Sequence, residues 1–303
     1  MRKVLILGIN GFTGIHFQNY IQNRQLNIKY SLCGVDLQIC KRINMKYIRA
    51  DVTGPGVLAR IIRREAPDYI INLIGTFTGR DFNEYLRLNV IIPQVLLESV
   101  RQAGEQARVE KILLAGSAAE YGTPERMPIR EHFPLNPVNF YGLSKVMQAQ
   151  LARYYYSQYH VPVVLARAFN IIGDHLSTAL SIGSFIQQIR EARDGDTIYT
   201  GNLNTRRDFL DIDDVIDGYW KILTRGRPGE IYNLCSGRSV FISDILDALI
   251  RKSGKKINIV VKAEYVKKKD IADIYGDNSR LKKATGWRAR VSLEQSINRI
   301  FHS

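Results

Sequence analysis

The chain has 303 residues, of which 45% are hydrophobic and 24% charged, and its formal net charge is +14. A chain of this length can bury a substantial core, and the composition is that of an ordinary folded enzyme, which excludes the disordered class. No apolar run approaches the roughly 18 residues of a membrane span. The three isolated cysteines and five histidines show neither disulfide nor metal-site spacing. We therefore expect a cytoplasmic protein without a membrane partner or a metal.

The positive charge is concentrated near the C-terminus. Residues 251–303 contain fourteen Lys and Arg against five Asp and Glu. Such a patch suits the phosphates of a nucleotide or of a polymer, or is simply a solvated face. Because no aromatic-interleaved basic motif and no Cys/His finger accompanies it, we predict no nucleic-acid partner.

Short β-branched runs alternate with helical periods along the chain. In the first third, strands are predicted at 4–7, 28–35, 47–50 and 69–73, and helices from 12 and at 56–65 and 82–104. Beyond these, strands are predicted at 112–115, 163–166, 231–234 and 257–261, and helices at 141–159, 182–193, 242–252 and from 293. This alternation is typical of βαβ units, so we predict an α/β fold with a doubly wound parallel sheet covered on both faces.

A glycine-rich loop, Gly8-Ile-Asn-Gly11-Phe-Thr-Gly14, joins the first predicted strand to the first helix. Gly8 permits a tight turn, Gly11 lets backbone N–H groups approach a pyrophosphate, and Gly14 allows close packing of helix on strand. Because strand, loop and helix follow in this order, we predict a Rossmann-type cofactor loop, to which Phe12 and Thr13 also belong, rather than a purely structural turn.

Two lobes are expected. We assign residues 1–166 to an NAD(P)-binding Rossmann domain and residues 167–303 to a smaller C-terminal α/β substrate lobe, with the chain crossing between them more than once. A crevice between two such lobes is where a ligand is expected to bind.

Strand ends supply the other predicted cofactor contacts. Asp36 ends the second strand, where a carboxylate accepts hydrogen bonds from ribose hydroxyls and repels a 2'-phosphate, which favours NAD(H) over NADP(H). The alternatives are that Asp36 is an ordinary turn residue, or that nearby Lys41 and Arg42 serve a phosphate. Further contacts are predicted at the ends of the third and fourth strands, from Asp51, Val52, Leu73 and Gly75.

Tyr141-Gly-Leu-Ser-Lys145 places a phenol and an ammonium one helical turn apart. A phenol with a pKa of ~10 is a poor acid–base catalyst at neutral pH, and we expect Lys145 to lower that pKa by stabilising the phenolate. Ser117, after the strand at 112–115, is placed to hydrogen-bond the same substrate oxygen. YxxxK arises by chance on helix surfaces, but together with the glycine loop it predicts Ser117, Tyr141 and Lys145 as catalytic residues, the last two also contacting the cofactor.

Together these residues resemble the extended short-chain dehydrogenase/reductases that act on nucleotide-diphosphate sugars, over nearly the whole chain. Within that family, five more stretches are similar to reductases of GDP-4-keto-6-deoxy-D-mannose: Arg167-Ala-Phe-Asn170-Ile-Ile-Gly173, Gly201-Asn-Leu203, Arg207-Asp-Phe-Leu-Asp211-Ile-Asp-Asp214-Val215, Ile231-Tyr-Asn233-Leu-Cys-Ser-Gly237 and Thr285-Gly-Trp287. The resemblance implies hydride transfer from NAD(P)H to C4 of an NDP-4-keto-6-deoxyhexose, foremost GDP-4-keto-6-deoxymannose.

The resemblance also implies residue roles. Tyr141 would protonate the C4 oxygen, Lys145 would hold the nicotinamide ribose, and Ser117 would orient the carbonyl. Asn170 and Arg207 match positions that contact the diphosphate, a task for which the planar guanidinium is well suited. The alternatives are a loop-capping role for the asparagine and a surface ion pair between the arginine and the aspartate that follows it.

The chain departs from the family at two places. Members that dehydrate the sugar carry an acid where this chain has Ala118 and Ala119, and we expect strand alternation to turn Glu120 away. This argues against a 4,6-dehydratase and leaves a 4-ketoreductase or an NAD-dependent 4-epimerase, with a non-catalytic dinucleotide-sensing protein as a third alternative. Where GDP-sugar members carry an arginine and a glutamate, Lys267 and Asp270 are the predicted substrate contacts, and the identity of the base stays open.

The two long predicted helices also suggest an assembly. We expect a homodimer formed through them, as in related enzymes, and the alternative is that their apolar faces only cover the sheet. Asn89, in the first of these helices, matches a family position that is structural rather than catalytic. The side chains offered for the dimer contact are Leu96, Leu97, Tyr154, Tyr155 and Tyr156.

Overall fold

The computed structural model describes residues 1–39, 45–104, 108–266 and 271–302. The strands, in chain order, are β1 (Arg2–Leu7), β2 (Tyr30–Asp36), β3 (Lys46–Arg49), β4 (Tyr69–Asn72), β5 (Lys111–Ser117), β6 (Val163–Ala168), β7 (Asn170–Ile172), β8 (Thr197–Thr200), β9 (Arg206–Arg207), β10 (Phe209–Asp211), β11 (Ile231–Leu234), β12 (Val240–Phe241), β13 (Asn258–Val261) and β14 (Asp273–Ile274).

The helices are α1 (Phe12–Asn23), α2 (Leu26–Lys29), α3 (Val57–Glu65), α4 (Phe82–Leu86), α5 (Ile92–Ala103), α6 (Phe140–Tyr159), α7 (Ser181–Glu191), α8 (Ile212–Arg225), α9 (Ile242–Ser253), α10 (Ser279–Thr285) and α11 (Leu293–His302). A π-helical turn, Arg87–Ile91, joins α4 to α5, and 3-10 turns lie at Ala118–Glu120 and Ala263–Tyr265.

The large sheet has the strand order β3-β2-β1-β4-β5-β6-β11, and every neighbouring pair in it is parallel. Helices α1 and α8 cover one face, and α3, α5 and α6 cover the other. Burial on both faces explains why β4 and β6 are buried at every residue. The chain order reverses between β1 and β4, which opens a crevice at the carboxyl ends of these two strands. The predicted doubly wound parallel sheet is confirmed.

The second lobe consists of short strand pairs packed on three helices. β7 pairs with β10 and β8 with β13, while β9 lies between β12 and β14. Side chains of α7, α9 and α11 form its core. Residue 166 is not a clean boundary, because β6 runs across it and β11, α8 and α10 return to the large sheet. The binding role assigned to each lobe stays a prediction.

Some of the side chains predicted to form a dimer contact lie in the core. Leu96 and Leu97 on α5 are fully buried and Tyr155 on α6 is 6% exposed, so for these three the sheet-covering alternative is correct. Tyr154 and Tyr156 are exposed on α6, and the homodimer itself stays a prediction. Within the described ranges, no helix combines the length and the apolarity needed to cross a membrane.

Candidate active site

The glycine loop between β1 and α1 contains two glycines that the fold requires and one that it does not. Gly8 has a φ of +79°, and a Cβ on it would lie 3.0 Å from the backbone of Ile74. A Cβ on Gly14 would lie 2.4 Å from the carbonyl oxygen of Ile9. Gly11 has an ordinary φ of −69°, and a Cβ on it would have its nearest neighbouring atom 3.5 Å away. The space over Gly11 is therefore open to a ligand.

The N-terminus of α1 faces this open space. Gly11 is the N-cap, so no side chain caps the first turn, and that turn carries no acidic residue. The first N–H groups of such a helix, with the positive end of its dipole, favour an anion. Phe12 and Thr13 are half-buried there, and the Phe12 ring packs edge-on against His16 at 5.1 Å between centroids. This end of the helix fits the pyrophosphate of a dinucleotide.

Asp36, at the end of β2, braces the same loop. Its Oδ2 accepts a hydrogen bond from the backbone N–H of Asn10 at 2.9 Å, and its Oδ1 accepts one from Gln38 at 3.3 Å. The carboxylate thus has a structural task in this loop besides the predicted one toward a ribose. Its cofactor role stays a prediction, and the alternative contacts, Lys41 and Arg42, lie outside the described residues.

The ends of the third and fourth strands lie at different depths. Asp51 is exposed, and the hydroxyl of Thr53 donates to it at 2.6 Å, which lowers the pKa of the carboxyl. Val52 is buried and Leu73 half-buried. Of these four residues, Gly75 lies next to a predicted catalytic residue, because a Cβ on it would lie 3.4 Å from Nζ of Lys145.

Asn89 holds the loop after β4 in place. It is fully buried in the π-helical turn, where its Oδ1 accepts from the N–H of Thr76 and its Nδ2 donates to the carbonyl of Thr76, both at 2.8 Å. The same Nδ2 donates to Oγ of Ser144 on α6 at 2.9 Å. π-Helical turns are frequent at functional sites. Through Asn89, the π-helical turn thus links the loop after β4 to α6, the helix that carries Tyr141 and Lys145.

Lys145 is almost completely buried at the first turns of α6. Its ammonium donates to the carbonyl of Ala115 at 2.8 Å and to Oε1 of Gln148 at 3.2 Å. Burial lowers the pKa of Lys145 to about 8, and the negative charge of Glu120 opposes that shift. Gln148, itself buried, also donates from Nε2 to Ala115 at 3.1 Å. Gln148 therefore belongs to the site, and its only signal in the sequence is its position one turn after the lysine.

Tyr141 and Ser117 meet across the gap between α6 and β5. Burial raises the pKa of the phenol, and the interaction with the Ser117 hydroxyl opposes that rise without reversing it. The prediction that Lys145 lowers the pKa of Tyr141 is thus wrong for this structure. The physical reason is desolvation: the phenolate would be buried, and the lysine ammonium is directed to Ala115 and Gln148.

The segment after Ser117 does not continue as a strand. Residues 118–120 form a 3-10 turn in which Oγ of Ser117 accepts from the N–H of Ala119 at 3.1 Å. The Glu120 carboxylate folds back to accept from the N–H of Ser117 at 2.9 Å, completing a capping box. The expectation that strand alternation turns Glu120 away from the site is therefore wrong, because residues 118–120 are not a strand. The side chain of Glu120 is fully buried beneath Ser117.

The predicted diphosphate contacts lie on β7 and β9, two strands of separate small sheets in the second lobe. Asn170 is exposed on β7, and its Nδ2 donates to the carbonyl of Asp208 at 3.1 Å. Arg207 on β9 is half-buried and donates from Nη1 to the carbonyls of Arg206 and Ile271 at 2.8 and 2.6 Å. The carboxylate of Asp208 is buried and accepts from Ser236, Gly237 and Gly276.

The two remaining predicted substrate contacts, Lys267 and Asp270, fall outside the described residues.

A groove of about 410 Å³ opens in the second lobe, between β10 and the segment 289–296. None of the predicted site residues is among the described residues that line it, so its size is no argument for catalysis there.

The chain is similar over nearly its whole length to several known enzymes. The chain is 26% identical to GDP-6-deoxy-D-mannose reductase of Pseudomonas aeruginosa, over 99% of this chain and 96% of that one. It is 26% identical to dTDP-D-glucose 4,6-dehydratase of Homo sapiens, over 98% and 88% of the two chains, and 25% identical to UDP-glucose 4-epimerase 4 of Oryza sativa, over 97% and 88%. The structure of RMD from Pseudomonas aeruginosa complexed with NADPH superposes with a TM-score of 0.84 at 25% identity, covering 100% of this chain and 98% of that one.

A family model matches most of the chain. It is described as GDP-mannose 4,6 dehydratase and matches residues 5–300. The chain therefore belongs to this family of extended short-chain dehydrogenase/reductases, whose members are NAD(P)-dependent enzymes that reduce, dehydrate or epimerise nucleotide sugars.

Proposed function

We propose that the protein is a nucleotide-sugar 4-ketoreductase that reduces C4 of an NDP-4-keto-6-deoxyhexose, with GDP-4-keto-6-deoxymannose as the substrate to test first. The observation that carries the proposal is the convergence of Ser117, Tyr141 and Lys145 beside the glycine loop. The similarity to GDP-6-deoxy-D-mannose reductase over 99% of the chain supports the choice of sugar.

The residues present fit a nicotinamide dinucleotide. The open space over Gly11 and the uncapped start of α1 would hold its pyrophosphate. Asp36, Leu73 and Gly75 would contact the cofactor between the glycine loop and Lys145. When bound in reduced form, the cofactor supplies the hydride. We propose NAD(H) as the preferred form because the Asp36 carboxylate repels a 2'-phosphate, although the similar RMD is complexed with NADPH.

The protein's own residues supply the proton and orient the carbonyl. Tyr141 carries its phenolic proton at neutral pH, as an ordinary phenol does, and would donate it to the C4 oxygen as charge develops there. Ser117 accepts from the backbone of Ala119, and its hydroxyl, which interacts with the Tyr141 phenol in this structure, would donate to the same oxygen when substrate is bound. The ammonium of Lys145 donates to the carbonyl of Ala115 and to Gln148, and its third proton would hold the cofactor ribose.

The absence of an acid next to Ser117 favours simple reduction. Dehydration requires a side chain that moves a second proton, and Ala118 and Ala119 have no group for it. Glu120 does not substitute, because its two oxygens accept from the backbone of Ser117 and from Arg167. These features support a reductase over a 4,6-dehydratase.

A 4-epimerase is the second candidate. It would use the same three residues to oxidise and re-reduce C4, and both the similarity to UDP-glucose 4-epimerase 4 and the carboxylate of Asp36 favour it. Neither candidate needs an acid at Ala118 or Ala119.

One assay separates the candidates. Purified protein is mixed with NADH or NADPH and GDP-4-keto-6-deoxymannose, and the absorbance of the reduced nicotinamide is followed. Stoichiometric oxidation is expected for the reductase. Interconversion of C4 epimers with catalytic NAD and without net oxidation would favour the epimerase. Tyr141→Phe should lose activity by a factor of about 10² to 10⁴, and Tyr154→Phe, an exposed tyrosine on the same helix, is the matched control.

We also propose that the protein is a homodimer, formed through the exposed parts of α5 and α6. Tyr154 on α6 and Ile91, just before α5, are 53% and 50% exposed, and large apolar or aromatic groups at such exposure favour a contact. Sedimentation of the wild type against Tyr154→Glu tests this, and a monomeric wild type would contradict it.

A further inference from the structure

A buried ion pair lies directly beneath the serine of the site. Nε of Arg167, on β6, is 2.6 Å from Oε2 of Glu120, and the two side chains are 3% and 0% exposed. Buried pairs of this kind add little net stability compared with apolar packing, because desolvating two charges is costly. Their presence next to a catalytic group therefore suggests a task other than stability.

The pair is connected to Ser117 through the backbone. Oε1 of Glu120 accepts from the N–H of Ser117 at 2.9 Å. Gly116 makes room for this carboxylate, since a Cβ on that residue would lie 2.8 Å from Oε1 of Glu120. The turn that results presents the N–H of Ala119 to Oγ of Ser117 at 3.1 Å. One lone pair of the serine oxygen is thereby occupied, which leaves its hydroxyl to act as a donor on the side of Tyr141.

Arg167 is itself fixed from the far side. Its Nη1 donates to the hydroxyl of Tyr121 at 3.0 Å and to the carbonyl of Glu131 at 3.1 Å. The Tyr121 hydroxyl in turn donates to Oδ1 of Asn233 at 2.7 Å, on the last strand of the large sheet. The ion pair is thus held by β6, β11 and the segment after the 3-10 turn. A carboxylate supported in this way cannot move without moving Ser117.

The titratable groups that interact with Glu120 lie on three neighbouring elements. Arg167 lies on β6, Lys145 and Tyr141 lie on α6, and Tyr121 follows the 3-10 turn; each interacts electrostatically with the carboxylate. Burial raises the pKa of Glu120 and the Arg167 charge opposes that rise. The carboxylate is the charge that opposes the effect of burial on the pKa of Lys145.

We propose that Glu120, held by Arg167, is a positioning residue of the catalytic centre. Its carboxylate accepts from Ser117 at the end of β5, two residues beyond the carbonyl of Ala115 that accepts from the Lys145 ammonium, and from there it fixes the Ser117 hydroxyl as a donor to the substrate oxygen and keeps the ammonium charged. The proposal rests on the proposed function for the identity of the reaction. It does not depend on which sugar nucleotide is reduced or epimerised, because Ser117 and Lys145 serve both reactions.

The test is Glu120→Gln, which preserves the shape and the acceptor for Ser117 and removes the charge. We expect the alkaline limb of the kcat/KM profile, near pH 8 in the wild type because Lys145 loses its proton there, to move about one pH unit lower. Activity at pH 8 then falls about fivefold relative to activity at pH 6. A merely structural residue would lower the thermal midpoint without moving this limb.

Two further variants keep the test decisive. Glu120→Gln leaves Arg167 as an unpaired buried cation, so the double variant Glu120→Gln/Arg167→Gln, which removes both charges, is measured beside it and should show an acidic shift of smaller size, because loss of the Arg167 cation partly offsets loss of the carboxylate. Asp214→Asn is the matched control: its carboxylate is 3% exposed and accepts from two backbone N–H groups at 2.8 and 2.9 Å. Asp214 is not among the charges that act on Lys145. The alkaline limb of the kcat/KM profile of Asp214→Asn should therefore stay at the wild-type pH.

A substrate-free readout separates this proposal from the proposed function. The side-chain nitrogen of Lys145 is titrated by NMR in lysine-¹⁵N-labelled protein, with Lys145→Met to assign the signal. A lower pKa in Glu120→Gln than in the wild type supports the positioning role even if the wild type fails to reduce the sugar. Coincident titrations in wild type, Glu120→Gln and the double variant would overturn it.

Discussion

Gly11 and Gly14 should respond in opposite ways to substitution by alanine, because the fold requires only one of them. A Cβ on Gly14 would lie 2.4 Å from the carbonyl oxygen of Ile9 and 2.5 Å from that of Gly8. Overpacking against a backbone that cannot move freely costs about 3 kcal/mol, and the better helix propensity of alanine returns about 1 kcal/mol. Gly14→Ala should therefore lower the free energy of unfolding by about 2 kcal/mol and the thermal midpoint by about 4–8 °C.

Gly11→Ala should leave stability nearly unchanged and weaken cofactor binding. The φ of −69° and ψ of 170° suit alanine, and the nearest atom to the added Cβ would be 3.5 Å away. Reduced entropy of the unfolded chain stabilises the variant by about 0.4–1 kcal/mol, and the poorer N-cap costs a similar amount. The new methyl group occupies the space predicted for pyrophosphate, and loss of charge-assisted N–H contacts of about 1.5–3 kcal/mol corresponds to a roughly 10- to 100-fold weaker affinity.

The two variants are measured together by thermal unfolding and by fluorescence titration with NADH and NADPH. The expected pattern is a stable Gly11→Ala that binds cofactor weakly and a Gly14→Ala with a lowered thermal midpoint. If Gly11→Ala binds both cofactors as tightly as the wild type, the loop is not the pyrophosphate site and the reasoning from its open space is refuted.

Three further outcomes follow from the same geometry. Asn89→Ala should reduce the free energy of unfolding by about 1–3 kcal/mol, since it removes the hydrogen bonds that Asn89 makes with the backbone of half-buried Thr76 and with the hydroxyl of buried Ser144, and chemical denaturation would detect it. Wild-type activity should decline above pH 8, because Lys145, whose pKa burial lowers to about 8, is charged below that pH and neutral above it; a profile that is flat from pH 7 to 10 would argue against a role for the ammonium. Asp36→Ala should raise the ratio of kcat/KM for NADPH to that for NADH by roughly tenfold, and an unchanged ratio would assign Asp36 to loop bracing alone.

The sheet was predictable from sequence because its signals are local. Apolar runs mark strands buried on both faces, and the glycine loop marks the first strand-to-helix turn. The π-helical turn at Arg87–Ile91 was not predictable, since the helical period is apolar on both sides of it and one extra residue per turn leaves no compositional trace. Likewise β2 begins at Tyr30, later than predicted, because Leu26–Lys29 form a short helix whose apolar residues are equally compatible with a strand.

In the candidate site, residue identity was easier to predict than electrostatics. The structure places Ser117 next to Tyr141, and Lys145 lies one turn further along α6, while their catalytic roles stay a prediction. Burial of the phenol, which raises its pKa, depends on tertiary packing. Glu120 shows the opposite case. The pattern Ser117-x-x-Glu120 is a capping-box signature that was available in the sequence, and it explains why the segment turns after Ser117 instead of continuing β5.

The central claim, hydride transfer to C4 of a nucleotide sugar with Tyr141 as the proton donor, is tested most directly by isotope transfer. Wild-type protein and Tyr141→Phe are incubated with GDP-4-keto-6-deoxymannose and reduced cofactor carrying deuterium at nicotinamide C4, and the sugar product is examined by mass spectrometry and proton NMR. We predict one deuterium at C4 of the wild-type product and a reaction slowed by a factor of about 10² to 10⁴ in Tyr141→Phe. A product without deuterium at C4, or equal rates for the two proteins, would contradict the claim.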